Sequence, residues 1–192
     1  MKSLSWHRVA YSVLRVLVCP FLNHKLNYSY EKAQPKSSPY IVLANHNTDY
    51  DPFLVGFAFP HQIYYVASEH IFRWGLASSL IKFLVAPIPR VKATTEIRTV
   101  MEILRKLKAG ANVCLFAEGN RSFSGETGEI HPSTAKLIKK SGVSLITFRL
   151  DGGYFTSPRW SKGLRKGEMK GRMVIEYTPE DLKKLSSEEV AE

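Results

Sequence analysis

The sequence predicts a single α/β domain with a largely parallel central sheet flanked by helices. Short apolar runs typical of buried strands alternate along the chain with segments of helical periodicity. Two of those runs end abruptly in polar turns, as strands do at the carboxyl edge of an open sheet. With 192 residues, of which 44 % are hydrophobic, the chain is long enough for one domain with its own core.

The strand and helix candidates follow each other in the order that this class requires. The predicted strands cover residues 40–44, 63–67, 86–91, 112–117, 143–150 and 173–177. The predicted helices cover residues 4–19, 53–59, 68–83 and 95–109, with a last one starting after Thr178. The polar turns that follow residues 44 and 117 are therefore expected at the same edge of the sheet.

The first polar turn holds a histidine and an aspartate five residues apart, His46 and Asp51. Imidazole is a base near neutral pH, and a carboxylate on one ring nitrogen fixes its tautomer. A positioned base of this kind accelerates proton transfer by about 10²- to 10⁴-fold. The alternative is structural: Asp51 directly precedes Pro52 and can simply cap the helix that follows.

The second polar turn contains an acid, a glycine and an arginine: Glu118, Gly119 and Arg121. An unpaired carboxylate at the end of an apolar strand is costly, glycine permits a tight turn, and arginine offers a fork of donors for phosphate or carboxylate. The alternative is an ordinary turn with a surface arginine.

The charge indicates an anionic partner. Lysine plus arginine outnumber aspartate plus glutamate by 27 to 17, a formal net charge of +10, which suits nucleic acid, an anionic membrane or a phosphorylated substrate. No recognisable nucleic-acid motif accompanies this charge. The two cysteines, Cys19 and Cys114, lie far apart in apolar runs, so the sequence predicts neither a disulfide framework nor a metal cluster.

Residues 4–19 predict an amphipathic helix that Pro20 ends or kinks. It is too short and too charged for a confident membrane span. One interpretation places it in the bilayer interface, with Trp6, Arg8 and Arg15 near the headgroups; the other packs it on the core of the domain. The sequence favours neither. We expect a membrane-associating helix over residues 1–22 and a catalytic α/β domain over residues 23–192.

A second basic segment spans residues 159–172, where cations strongly outnumber acids. Such a run is usually a solvated loop. Because aromatic side chains accompany it, contact with anionic lipid headgroups through Trp160, Arg165 and Lys166 is the alternative.

Taken together, these stretches resemble the glycerophospholipid acyltransferase family, of the lysophosphatidic acid acyltransferase type. Its Asn-His-x4-Asp block is matched by Asn45, His46 and Asp51, and its Phe-Pro-Glu-Gly-x-Arg-Ser block by residues 116–122, with Ala117 in place of proline. Between them lies a short strand ending in arginine, here Arg90. The resemblance covers roughly residues 38–150.

The resemblance implies a fold, a reaction and a set of site residues. His46, oriented by Asp51, would deprotonate a lysophospholipid hydroxyl, most directly that of 1-acyl-glycerol-3-phosphate, which then attacks an acyl thioester. The implied acceptor-binding residues are Arg90, Glu118, Gly119, Asn120, Arg121 and Ser122. The donor would be acyl-CoA or acyl carrier protein. No bound cofactor and no metal are implied.

We also expect the protein to act on lipids at the cytoplasmic face of a membrane, as a peripheral protein. Two alternatives stay open. One is a phospholipid transacylase that uses the same His–Asp pair. The other is a non-enzymatic basic module that binds membranes or nucleic acid.

Overall fold

The computed structural model describes residues 2–68, 87–90, 96–116, 118–130, 132–161 and 163–190. Its strands are β1 (Tyr28–Tyr30), β2 (Tyr40–Ala44), β3 (Ile63–Ser68), β4 (Ile88–Arg90), β5 (Asn112–Phe116), β6 (Ser144–Asp151) and β7 (Met169–Tyr177). Its helices are α1 (Lys2–Leu26), α2 (Asp51–Ala58), α3 (Glu96–Lys108), α4 (Pro132–Ser141), α5 (Gly153–Thr156) and α6 (Pro179–Lys184). Ser68, the predicted start of the helix over residues 68–83, is the last residue of β3, and the rest of that predicted helix lies outside the described residues.

The described strands form one sheet in the order β1-β7-β6-β2-β5-β3-β4. All neighbouring pairs in it are parallel except β6 and β7. The predicted α/β class and largely parallel sheet are confirmed. Strand β2 lies in the middle of the sheet, between β5 and β6. The chain leaves β2 toward one side of the sheet and leaves β5 toward the other, so the loops after these strands lie at a topological switch point, the usual position for a ligand site.

The centre of the sheet is buried on both faces, and β2 shows how. Its side chains alternate, with Tyr40 and Val42 in the core beneath α1 and α2, and Ile41 and Leu43 in the core beneath α3, α4 and α6. A strand covered on both faces is apolar throughout, which is why residues 40–44 are a continuous apolar run rather than an alternating one.

Helix α1 is longer than predicted, because it continues through Pro20 to Leu26. A proline inside a helix removes one hydrogen bond and costs about 3 kcal/mol. The turn beyond Pro20 carries Leu22 and Leu26, which are almost completely buried against the sheet. Burial of two leucines recovers about 3–6 kcal/mol, enough to extend the helix past the proline.

The exposed side of α1 is apolar. Its side chains are exposed by more than half at Val9, Val13, Val16, Leu17 and Phe21, with Val16 at 72 % and Leu17 at 71 %. The opposite side, with Tyr11 and Arg15, faces the domain. The helix therefore packs on the domain as the second interpretation expected, but through its other side, and over residues 9–21 its apolar face is left exposed.

Arg15 joins α1 to the end of α2. Its Nη1 donates to the carbonyl of Phe59 at 2.7 Å and its Nη2 to the carbonyl of Phe57 at 2.6 Å, while the hydroxyl of Tyr11 donates to Gly56. These carbonyls belong to the last turn of α2, where a cation is favoured. The structure thus directs the Arg15 guanidinium to α2, whereas the sequence placed it near lipid headgroups.

Replacing Arg15 with methionine should destabilise the fold by about 1.5–3 kcal/mol, because two carbonyls lose a charged donor. For a domain of this size we expect the thermal midpoint to fall by about 3–10 °C. Lys136→Met, at an exposed position of α4, is the control and should stay within about 1 °C. Equal midpoints for the two variants would mean that Arg15 does not fasten α1 to α2.

Candidate active site

The two polar turns lie side by side at the carboxyl edge of the sheet. Strands β2 and β5 are parallel neighbours in register, with Ala44 beside Phe116, so the loops that follow them start at the same level. We call residues 45–50 the His46 loop and residues 118–130 the Arg121 loop. The prediction that the two turns share one edge is confirmed.

His46 and Asp51 are in direct contact. The Nδ1 atom of His46 lies 2.9 Å from Oδ2 of Asp51. Because a carboxylate accepts, Nδ1 carries the proton, and Nε2 is left as the basic nitrogen. The histidine side chain is 19 % exposed and that of Asp51 is fully buried, so the base is accessible while its partner is not.

Asp51 is held by the backbone of its own loop. Its Oδ2 accepts the N–H of Asn47 at 2.6 Å and of Thr48 at 2.8 Å, and its Oδ1 accepts the Thr48 hydroxyl at 2.6 Å. Helix α2 begins with Tyr50 as its N-cap and Asp51 as its first residue, without a side-chain cap. The helix-cap interpretation of Asp51 is therefore wrong: its carboxylate organises the His46 loop.

The imidazole of His46 rests on an aromatic ring. The His46 and Phe116 rings are stacked, with centroids 4.3 Å apart and planes 22° apart, and Tyr65 lies beyond Phe116 at 6.4 Å. Stacking fixes the ring plane and the Asp51 bond fixes the rotation within that plane. The direction of Nε2 is thus set by two independent contacts.

Backbone hydrogen bonds join the Arg121 loop to His46. Glu118 Oε1 accepts the N–H of His46 at 3.1 Å, and the N–H of Ser122 donates to the carbonyl of His46 at 2.7 Å. Burial raises the pKa of Glu118, while the N–H groups of His46 and Gly128 act in the opposite direction. Glu118 thereby holds the two loops together, a contact that the sequence did not predict.

The other residues of the second motif shape the turn. Gly119 has a φ of +68°, a left-handed conformation that suits glycine, and its N–H donates to the carbonyl of Phe116. The Ser122 hydroxyl donates to the carbonyl of Glu126 and accepts from the N–H of Gly125. Asn120 is exposed at the tip. In this structure Ser122 bonds within its own loop rather than facing open space.

Arg121 forms an ion pair across the two loops. Its Nη1 lies 3.1 Å from Oδ2 of Asp49, and its side chain is 25 % exposed. Its backbone carbonyl accepts a hydrogen bond from Nη1 of Arg159 at 3.0 Å. The guanidinium therefore lies beside the His46 loop, where an anionic group of a substrate could reach it.

The remaining predicted contact residues divide into two groups. Arg90 ends β4, and Trp6 and Arg8 lie on α1, but the side chains of these three are outside the described part of the chain. Trp160 is half-exposed, Arg165 lies 4.6 Å from its ring centroid, and Lys166 is exposed. The basic segment thus presents an aromatic side chain with cations at the surface.

A cavity of about 690 Å³ opens beside the two loops. Asn47 and Glu118 lie at its wall together with apolar side chains of β6, β7 and α5, among them Phe148, Val174 and Phe155. At the cavity wall the Arg121 loop packs tightly against Tyr154, since a Cβ added at Gly125 would lie 2.6 Å from the Tyr154 ring. The cavity therefore adjoins both loops through Asn47 and Glu118, while His46 and Arg121 do not line it.

The sequence predicted no contact for two residues of the His46 loop, Asn45 of the matched motif and Thr48. The Asn45 amide both donates to the carbonyl of Leu150 and accepts its N–H, each at 2.8 Å, and so ties the end of β2 to β6. Thr48 is fully buried and binds Asp51. The sequence did contain an indication of these contacts, because five polar residues lie close together in one short bend.

The described residues present no metal-binding cluster, and the thiol nearest to the candidate site in sequence, Cys114, is not reactive. Among them, no three His, Cys, Asp or Glu side chains cluster in a way that could hold a metal ion. Cys114 is fully buried in β5, and burial raises the pKa of its thiol, so it stays protonated at neutral pH. What these side chains do present is a histidine base held by a buried carboxylate.

A histidine bonded to a buried carboxylate at the carboxyl edge of the sheet is an arrangement suited to general-base catalysis. The family model described as Acyltransferase matches residues 25–151, about two thirds of the chain. The chain belongs to this acyltransferase family, and the resemblance seen in the sequence motifs is confirmed.

Two known proteins are similar to the chain. It is 23 % identical over 160 residues to the chloroplastic 1-acyl-sn-glycerol-3-phosphate acyltransferase of Arabidopsis thaliana, covering 82 % of this chain and 44 % of that protein. The crystal structure of PlsC, the 1-acyl-sn-glycerophosphate acyltransferase of Thermotoga maritima, superposes with a TM-score of 0.69 at 22 % identity, covering 94 % of this chain and 79 % of that one. The chain thus spans less than half the length of the Arabidopsis relative and shares the fold of PlsC.

Proposed function

We propose that the chain transfers a fatty acyl group from an acyl thioester to the hydroxyl of a lysophospholipid, with His46 as general base. The observation that carries this proposal is the 2.9 Å contact between His46 Nδ1 and the buried Asp51, which leaves Nε2 available as the base. The acceptor that the relatives' names indicate is 1-acyl-glycerol-3-phosphate, so its conversion to phosphatidic acid is the first reaction to assay.

The reaction needs one base and no covalent enzyme intermediate. His46 Nε2 takes the proton of the acceptor hydroxyl as its oxygen attacks the thioester carbonyl, and a C–O bond forms. The tetrahedral intermediate collapses, the C–S bond breaks, and the leaving thiolate takes the proton back from the imidazolium. Asp51 stabilises the imidazolium between these steps and keeps Nδ1 protonated.

Release of the free thiol gives a direct test of this reaction. With purified protein and an acyl-CoA or acyl carrier protein donor, thiol release followed with a chromogenic disulfide should require the lysophospholipid. Comparing the two donors decides which thioester is used. Thiol release that is independent of acceptor would contradict the proposal, and acyl transfer from an intact phospholipid instead of a thioester would favour the transacylase.

Arg121 is the residue that we propose for the acceptor's phosphate. Arg121→Ala should raise the KM for the acceptor by about 10- to 100-fold with a smaller effect on kcat, because a charged hydrogen bond worth about 1.5–3 kcal/mol is lost from the bound state. Arg121→Lys should rescue this only in part, since lysine lacks the planar fork. Arg98→Ala, at an exposed position of α3, is the control. Unchanged acceptor KM in both Arg121 variants would refute the role.

The acceptor is a membrane lipid, so we propose that the chain binds the bilayer as a peripheral protein at the cytoplasmic face. The exposed apolar face of α1 at Val13, Val16 and Leu17 supports insertion, and the basic segment with Arg165 and Lys166 supports attraction to anionic headgroups. Among the described residues no helix is long and apolar enough to span a bilayer. The division into an anchoring segment over residues 1–22 and a catalytic domain over residues 23–192 belongs to this proposal.

Vesicle co-sedimentation separates the two contributions. Replacing both Val16 and Leu17 with serine should abolish binding that persists at high salt, while the fold survives because both side chains are exposed. Ile97 and Met101 of α3, 74 % and 60 % exposed, give a matched control when changed to serine. Neutralising Arg165 and Lys166 should remove only the salt-sensitive share of binding. If the α1 variant still sedimented with neutral vesicles at high salt, α1 would not be the anchor.

A further inference from the structure

Asp49 is a carboxylate of the His46 loop that the proposed mechanism does not use. It lies between His46 and Asp51 in the chain, yet its environment is the opposite of that of Asp51, because its side chain is 73 % exposed. Its ion-pair partner is Arg121, the residue proposed for the acceptor's phosphate, at 3.1 Å. The position that a phosphate would take on this guanidinium thus has a negative charge beside it already.

The headgroup of an acceptor therefore binds beside an ion pair, Arg121 with Asp49, rather than beside an arginine alone. A phosphomonoester carries close to two negative charges at neutral pH, and placing it on Arg121 brings both next to the Asp49 carboxylate. A phosphodiester whose headgroup ends in an ammonium brings one negative charge to Arg121 and a positive charge to Asp49. Complementary charges favour the second acceptor, and repulsion disfavours the first.

We propose that Asp49 is a specificity-determining residue that favours acceptors with an ammonium beyond their phosphate, the zwitterionic lysophospholipids, over the bare phosphomonoester. The inference rests on the proposed function, and for the headgroup it departs from the 1-acyl-glycerol-3-phosphate that the relatives' names indicate. Arg121 holds the phosphate of either acceptor, and Asp49 distinguishes them by the group that the phosphate carries.

The expected size of the effect follows from the exposure of the pair. Exposed ion pairs change an equilibrium by about 1.4- to 5-fold. In Asp49→Asn the attraction for the ammonium and the repulsion of the phosphomonoester disappear together. We therefore expect the ratio of kcat/KM between the two acceptors to shift by about tenfold toward the phosphomonoester.

The test compares three short-chain acceptors used below their critical micelle concentrations, so that vesicle binding plays no part. They are 1-acyl-glycerol-3-phosphate and its phosphoethanolamine and phosphoglycerol counterparts. The phosphoglycerol acceptor is also a phosphodiester but lacks the ammonium. The native chain should prefer the phosphoethanolamine acceptor, and Asp49→Asn should lose that preference relative to both of the other acceptors.

Two further variants make the result specific. Asp49→Glu keeps the carboxylate and should keep most of the preference, whereas Glu129→Gln removes the same charge from an exposed position of the Arg121 loop and should change nothing. Acyl transfer with an acceptor ratio that Asp49→Asn leaves within about twofold would overturn the inference alone. If the native chain acylates none of the three acceptors, the proposed function fails, and the inference fails with it.

Discussion

His46→Ala should lower kcat by at least about 100-fold, and by up to about 10⁴-fold, while the protein remains folded. The rate should fall because the variant lacks Nε2, the atom that we propose as the base. The hydrogen bond to Asp51 and the stacking on Phe116 define the position of that atom. The fold should survive because the imidazole is partly exposed and its backbone, not its side chain, bonds to Glu118 and Ser122. Initial rates with saturating donor and acceptor, together with circular dichroism, measure both effects.

His61→Ala is the matched control, since His61 is exposed and follows α2 at the other end from Asp51. It should keep the native rate within about twofold. If His46→Ala retained more than about a tenth of the native rate, the assignment of the general base would be wrong.

Asp51→Asn should lower kcat by a similar factor, about 10²- to 10⁴-fold, and should also destabilise the protein. The amide can present its NH₂ to His46 Nδ1, which moves the histidine proton to Nε2 and removes the base. It also leaves backbone donors of Asn47 and Thr48 without the charged acceptor that they have in the native loop. Breaking a buried charged network of this kind costs about 3–5 kcal/mol.

The two measurements for Asp51→Asn distinguish a catalytic partner from a purely structural residue. Denaturation gives the stability loss, and rates taken well below the thermal midpoint give the activity of the folded protein. Thr48→Val is the comparison, because it removes one donor to Asp51 and leaves the carboxylate in place. A folded Asp51→Asn variant with near-native kcat would show that Asp51 only shapes the loop.

Much of the fold could be predicted because its central strands are covered on both faces. Continuous apolar runs such as residues 40–44 are unambiguous when a strand is buried on both sides, and α3 has a clean apolar stripe between its first turn and Gly110. Strand β1 was missed because three residues with one exposed side chain give no periodicity. It is held by its parallel pairing with β7, a contact of residues about 140 positions apart.

The contact between His46 and Asp51 could be predicted, but the other contacts of the candidate site could not. The spacing of His46 and Asp51 predicted a contact between them, yet the same spacing suited a helix cap. Only the positions of the donors from residues 47 and 48 decide between the two interpretations. The partners of Glu118 and Arg121 belong to a different loop more than 70 residues away in sequence. Such contacts depend on strand register, which local sequence does not specify.

The orientation of α1 shows the limit of amphipathic patterns. The sequence predicted an apolar and a polar face but not which of them meets the domain, because either side of such a helix can be buried by protein or by lipid. Arg15 decides the orientation in the structure, since its hydrogen bonds to the end of α2 turn the apolar face outward.

Thin-layer analysis of labelled products is the decisive measurement for acyl transfer by His46. The native chain and His46→Ala are each incubated with a lysophospholipid and a thioester labelled in its acyl group, and the lipid products are separated. We predict label in the diacyl phospholipid with the native chain, dependent on the lysophospholipid, and at least about 100-fold less with His46→Ala. Label that stays in the thioester or appears only as free fatty acid, or equal diacyl product from both proteins, would contradict the proposed reaction.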